Sequence, residues 1–139
     1  MRITQRSERV RKVAKELDNY IEKKDIENVL SCFEDKCEIE LFGISLNGKS
    51  QLKKALNWLY ELMEKVKFIP ITIMIEDNIF FEEFVLSGKK KNKSFNIKAA
   101  EVLIYNKYKL KNLRLYLDRL YIAEVLSVIA SLTLSGSIQ

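Results

Sequence analysis

Apolar positions change their spacing once along this chain, and the change separates a helical part from a strand part. Over residues 7–22, Val10, Val13, Ala14, Leu17 and Ile21 recur every three or four residues, which predicts one amphipathic helix. Lys23-Lys24 break the pattern. Asp25 is placed to cap a second, short helix with Ile26, Val29, Leu30 and Phe33 on its buried side. Cys37, Ile39 and Leu41 then alternate with Glu38, Glu40 and Phe42 as a strand that Gly43 ends. Asn47-Gly48 turns into a third helix over about residues 49–65. Leu52, Ala55, Leu56, Leu59, Met63 and Val66 mark its core face, and Trp58 and Leu62 widen the apolar arc.

Beyond Val66 the period falls from 3.6 to 2. Strands are predicted over residues 68–75, 79–86, 94–105 and 110–118, with Pro70 implying an edge or a bulge in the first. The turns fall at Asp77-Asn78, at the lysine-rich tip 87–93 and at 106–109. A last helix is predicted over residues 119–130, followed by a tail. Gly43, Gly48, Gly88 and Gly136 read as turn residues. Helices first and strands in succession afterwards describe an α+β domain: three N-terminal helices packed on a strongly curved, mainly antiparallel sheet, with an additional C-terminal helix. The concave side of such a sheet cannot close fully against helices, so a cone-shaped pocket is a physical possibility.

Composition narrows the chemistry. With 139 residues, 47% of them apolar and 31% charged, the chain reads as one globular domain over 1–139. No signal peptide is visible at the N-terminus, and the apolar run 120–134 is too short and too broken for a membrane span. The sequence has no histidine, which removes the usual general base near neutral pH and weakens any zinc site. Cys32 and Cys37 read as small buried hydrophobes in a reducing, cytoplasmic setting rather than as nucleophiles or a disulfide. No metal-ligand cluster, phosphate loop or serine triad is recognisable, and no cofactor is expected. The net charge of +5 gathers partly at Lys89, Lys90, Lys91 and Lys93, a basic surface for an acidic partner or merely a solvated tip. Without a recognition helix, sequence-specific nucleic-acid binding is not expected.

Three segments carry a resemblance to a known family: Asp25-Ile26-Glu27-Asn28-Val29 running on to Asp35 through Gly43, then Gly48-Lys49-Ser50-Gln51-Leu52, then Glu101 through Leu110 leading to Asp118. In this order and spacing the chain resembles the nuclear transport factor 2-like superfamily over roughly residues 8–120, within it the SnoaL-like and ketosteroid isomerase-like proteins. The resemblance implies a cone-shaped α+β fold, a small apolar ligand and a homodimer packed through the outer sheet face. It places Asp118 at the acid–base position of SnoaL-like cyclases and of limonene epoxide hydrolase. That hydrolase's remaining Arg and Asp positions here hold Glu83 and Val85, so epoxide hydrolysis is not expected. Against ketosteroid isomerase, Glu101 matches the protonated oxyanion-hole acid, Leu41 or Glu40 the base, and Leu17 the oxyanion tyrosine, where a leucine has no donor.

The residues themselves leave two readings of each carboxylate open. Asp118 shares a strand face with Arg114 and Tyr116, opposite Leu113, Leu115 and Leu117. It is either a strand-end cap, salt-bridged to Arg114, or a pocket acid. Glu101 shares a face with Leu103 and Tyr105; on the concave side it would be a general acid with a raised pKa, on the convex side only solvated. Glu40 alternates as any half-exposed strand residue would. The catalytic candidates are therefore Asp118, Glu101 and Glu40, with Arg114, Tyr116, Tyr105, Leu17 and Trp58 as ligand contacts. Asp118 and Glu101 are expected to approach one cavity, and Val102, Ile104, Leu113, Leu115 and Leu117 to form a second apolar face for a dimer. Function stays divided between a small-ligand pocket with acid–base cyclase or isomerase chemistry and a non-catalytic dimeric interaction module.

Overall fold

The computed structural model describes residues 5–41 and 43–118; Phe42, the helix expected over 119–130 and the tail lie outside the described residues. Three helices, α1 (Gln5–Glu22), α2 (Ile26–Ser31) and α3 (Gly48–Leu62), accompany six strands. The strands are β1 (Phe33–Leu41), β2 (Ile44–Asn47), β3 (Lys65–Glu76), β4 (Ile79–Lys90), β5 (Lys93–Asn106) and β6 (Lys109–Leu117). They form one curved sheet in the order β2-β1-β6-β5-β4-β3. Only β1 and β6 run parallel, which makes the sheet mixed rather than purely antiparallel.

Local chemistry sets the boundaries. Asp25 caps α2 by accepting from the Asn28 N–H at 3.3 Å. Before α3 the Gln51 side chain accepts the Asn47 N–H at 2.8 Å, and Gly48 takes a φ of +83° that a side chain would resist. Ile44–Asn47, where only the turn at Asn47-Gly48 was expected, pairs with β1 as an edge strand too short to show alternation. The hairpins turn on Asp77, Lys91 and Lys107, all with positive φ despite carrying side chains. Pro70 lies in edge strand β3, and the register shifts between Pro70 and Thr72 as a bulge.

Gly88 is not a turn residue. It sits inside β4, paired with Val66 and Phe95, where an added Cβ would come within 2.3 Å of Met63 Sδ. The glycine lets the end of α3 rest on the sheet.

The core lies between the helices and the concave face. Val10, Ala14 and Leu17 of α1, Val29 of α2, and Leu52 and Leu56 of α3 meet Phe33, Cys37, Ile39, Phe80, Leu103, Tyr105 and Leu110. A second cluster joins Met63 and Val66 to Phe84, Leu86, Phe95, Ile97 and Ala99. Glu22 accepts the Phe68 N–H at 3.1 Å, so α1 also closes part of the free β3 edge.

The register corrects the expected second apolar face. Leu103 pairs with Leu113 and Glu101 with Leu115, so Leu113, Leu115 and Leu117 lie on the concave side. Val102 and Ile104 point outward with Arg114 and Asn112, since strand neighbours alternate faces. No helix among the described residues is long and apolar enough to cross a membrane.

Candidate functional site

The concave face is apolar along most rows, and one row breaks the rule. β4 and β5 pair so that Glu82 lies directly opposite Glu101. Alternation places Glu82 with Phe80, Phe84 and Leu86, and Glu101 with Ala99, Leu103 and Tyr105, all buried. Asp18 reaches the same place from α1, one residue after buried Leu17. One carboxylate oxygen from each of Asp18, Glu82 and Glu101 lies within 4.8 Å of the others. Glu82 is 2% exposed and Glu101 7%, while Asp18 is half-buried. Oε1 of both glutamates and the Tyr105 hydroxyl are buried without a hydrogen-bond partner among the described residues.

Three carboxyl groups this close cannot all ionise in a site with so little water. Burial alone disfavours each charge, and every neighbour that does ionise adds repulsion. Burial, then Glu82, then Glu22 push Asp18 up from 3.8 to about 8. Burial pushes Glu82 up from 4.5 to about 7. Glu101 rises well above the ordinary carboxylate range, first through burial and then through Asp18 and Glu82. The Tyr105 hydroxyl is raised by burial and further by Glu101, Cys32 and Asp18. The three carboxyls therefore titrate as a coupled set that holds protons at neutral pH.

Glu101 also borders a cavity. About 120 Å³ of space lies between the helices and the sheet, walled by Phe33, Leu56, Leu59, Phe84 and Leu115 among other apolar groups. Among the described residues Glu101 is its one ionisable wall residue. Trp58, 48% exposed, stands where this space adjoins an open depression of about 540 Å³; the two share Leu41, Ala55 and Trp58.

The structure separates the sequence-derived candidates. Glu101 and Trp58 border the cavity, and Tyr105 is buried in the core on the same strand face as Glu101. Leu17 is buried in the core and does not reach the cavity wall. Asp118 is exposed at the end of β6, and its N–H donates to the Lys98 carbonyl at 3.4 Å. It belongs to the face opposite Glu101, so the two do not approach one cavity. The strand's alternation, which puts Leu113, Leu115 and Leu117 inward, carries Asp118 outward with Arg114 and Tyr116. Glu40 pairs with Arg114 across β1 and β6, and both line an outer depression of about 200 Å³ with Glu38, Asn47 and Asn112.

Cys32 and Cys37 are free, and burial raises both thiols, as suits inert core residues. At the basic tip, Lys90 Nζ donates to the Glu61 carbonyl at the end of α3, while Lys89, Lys91 and Lys93 are exposed.

Asp18 and Glu82 were not singled out in the sequence, although each carries a signal. Asp18 follows Ala14 by four residues and precedes Ile21 by three, so it occupies the apolar stripe of its helix. Glu82 occupies the inward register of Phe80, Phe84 and Leu86.

Helices laid into the concave side of this sheet, with β1 returning parallel to β6, give a cone-shaped fold like that of solved NTF2-like and SnoaL-like structures. Among solved structures the chain is similar to an NTF2-like protein of Anabaena variabilis ATCC 29413, with 15% identity, a TM-score of 0.73, and coverage of 85% of this chain and 96% of that one. A candidate SnoaL-like polyketide cyclase of Jannaschia sp. CCS1 matches at 9% identity and a TM-score of 0.80, over 91% and 97%. TerC, co-crystallised with polyporic acid, matches at 11% identity and a TM-score of 0.76, over 86% and 98%. No protein-family model matches the chain, and neither does any curated protein. At such identities the likeness establishes the fold, and the site must be argued from this chain's own residues.

The raised carboxyls make stability depend on pH with a definite sign. The folded state holds protons that the unfolded chain releases above about pH 4, so their contribution is complete below that pH. It is lost as pH rises towards about 8. In chelator-treated buffer, urea unfolding should show stability falling across this window, by at most about 1.4 kcal/mol per pH unit for each proton. Asp18→Asn and Glu82→Gln should each flatten the slope. A wild-type stability independent of pH between 4 and 8 would contradict the assignment.

Proposed function

We propose that the protein binds a small, largely apolar ligand in the cone and that Glu101, as a neutral carboxylic acid, donates a hydrogen bond or a proton to an oxygen of that ligand. The observation that carries this reading is the buried Glu101 carboxyl with an unpartnered oxygen on the wall of an otherwise apolar cavity. A neutral acid in such a place polarises a carbonyl at little reorganisation cost, because its surroundings hold it protonated before the ligand arrives. Acid–base chemistry of cyclase or isomerase type fits this arrangement. TerC, a structure similar in fold, was co-crystallised with polyporic acid, a precedent for small-ligand binding on this fold.

Cavity size limits the ligand. An engineered apolar cavity of about 150 Å³ admits benzene. A space of about 120 Å³ thus accepts one ring or a short chain, and a larger ligand must extend past Trp58 into the adjoining depression. Asp118, Arg114, Tyr116 and Glu40 have no part in this chemistry, since they occupy the other side of the sheet.

Acetophenone and cumene, similar in shape and different in their oxygen, test the reading by NMR titration. Both should perturb the cavity residues, with acetophenone bound several-fold to about tenfold tighter, the worth of one neutral hydrogen bond. Glu101→Leu should abolish the preference while keeping cumene. For any substrate found in a broader screen, Glu101→Gln should lower turnover about 10²–10⁴-fold and Asp118→Asn should leave it unchanged. Equal binding of the two probes to the wild type would reject the hydrogen-bonding role.

A second reading concerns assembly. Tyr116 and Met74, 51% and 64% exposed, flank outward-facing Phe81, Val102 and Ile104 on one sheet face. We propose that this face joins two copies of the chain. Sedimentation should show a dimer at micromolar concentration that Val102→Asp dissociates; a wild type that stays monomeric at high micromolar concentration rejects it.

A further inference from the structure

The carboxyl cluster poses a question that the cone's ligand does not answer. Two glutamates directly opposite each other in a buried strand pair, with an aspartate above them, concentrate like charge where little water can screen it. The ion pairs Arg6–Asp77 and Lys49–Asp35 lie elsewhere, and no described lysine or arginine forms a salt bridge with the cluster. A buried carboxylate oxygen without a partner calls for a specific occupant, a proton or an ion.

We propose that Asp18, Glu82 and Glu101 form a binding site for one hard divalent cation, of the calcium or manganese type. The span fits. Oxygens bound at about 2.3–2.6 Å around a calcium ion lie no more than about 5 Å apart, and here one oxygen from each residue lies within 4.8 Å of the others. The donors are carboxylates only, which favours oxygen-seeking ions over zinc or copper, whose sites use histidine and cysteine. A second observation points the same way. Oε1 of Glu82 and Oε1 of Glu101, on side chains 2% and 7% exposed, have no hydrogen-bond partner among the described residues, and neither does the hydroxyl of buried Tyr105 on the same strand face as Glu101. Half-buried Asp18 leaves an approach from solvent at the outer side, where water would complete the coordination.

The ligands come from three elements: Asp18 from α1, Glu82 from β4 and Glu101 from β5. An ion would therefore tie the first helix to the two central strands. Proton and ion are alternative occupants. With the ion in place Glu101 is an ionised ligand and no longer a donor to the cone, so such an ion would govern the chemistry proposed above. The site does not rest on that chemistry. Failure to bind an ion leaves the ligand reading intact, and failure to bind acetophenone leaves the ion site intact.

Manganese binding to the full chain at pH 8, where protons compete least, tests the site by electron paramagnetic resonance and calorimetry. The expected result is one ion per chain, displaced by calcium, with affinity reduced at least about tenfold by Asp18→Asn or Glu82→Gln. Glu27→Gln, at an exposed position of α2, should leave the affinity unchanged. A measurement on the unaltered protein avoids any folding defect: manganese should broaden backbone amide signals around residues 17–19, 81–83 and 100–102. Broadening confined to exposed carboxylates, an absence of saturable binding, or affinity indifferent to both variants would overturn the proposal.

Discussion

Glu82 facing Glu101 across β4 and β5, with Asp18 above them, is the constraint to which the rest of this structure answers. Opposed like charges destabilise a strand pair even on a wet surface, and burial makes each charge costlier still. The sheet holds because the carboxyls need not be charged. Packing from Leu17, Leu103 and Tyr105 withholds water, and the withheld water is what keeps protons on the cluster. An apolar replacement would pack well at lower cost, so the carboxyls are not there for stability.

The fold turns this local tension into a directed one. Strand alternation sends Glu101 inward beside Leu103 and sends Val102 outward beside Arg114, so the buried acid and the outer charges never share a space. α3 rests on the strands through Met63 at Gly88 and leaves the cavity open on the side of Trp58. The outcome, among the described residues, is an apolar cavity with one ionisable wall residue, clustered with two more carboxyls. That combination suits the recognition of a small ligand through one oxygen.

Much of the architecture was legible because the apolar period changes once, after Val66, and few elements mix the two periods. Pro70 announced its edge strand and bulge, and Asp25 its cap. What stayed hidden depends on pairing. β2 is four residues long, too short for alternation to declare itself. Phe33 through Lys36 look like a continuation of α2 until Phe33 pairs with Leu110. Gly88 resembles a turn glycine until Met63 is laid over it. In the candidate site, Glu101 was visible as a carboxylate in an apolar strand, whereas its partners Asp18 and Glu82 sit 83 and 19 positions earlier and are joined to it only by the register. The family resemblance drew attention to Asp118, yet the chain's own alternation, with three leucines inward, already placed that residue on the other face.

The account depends most on Glu101 remaining neutral in the cone. The carboxyl carbon-13 shift of Glu101, identified by its loss in Glu101→Gln and followed against pH in metal-free buffer, measures this directly. The account predicts a protonated carboxyl at pH 7 whose titration lies far above that of an ordinary glutamate. A carboxyl that ionises near 4.5 and is fully charged at neutral pH would contradict it.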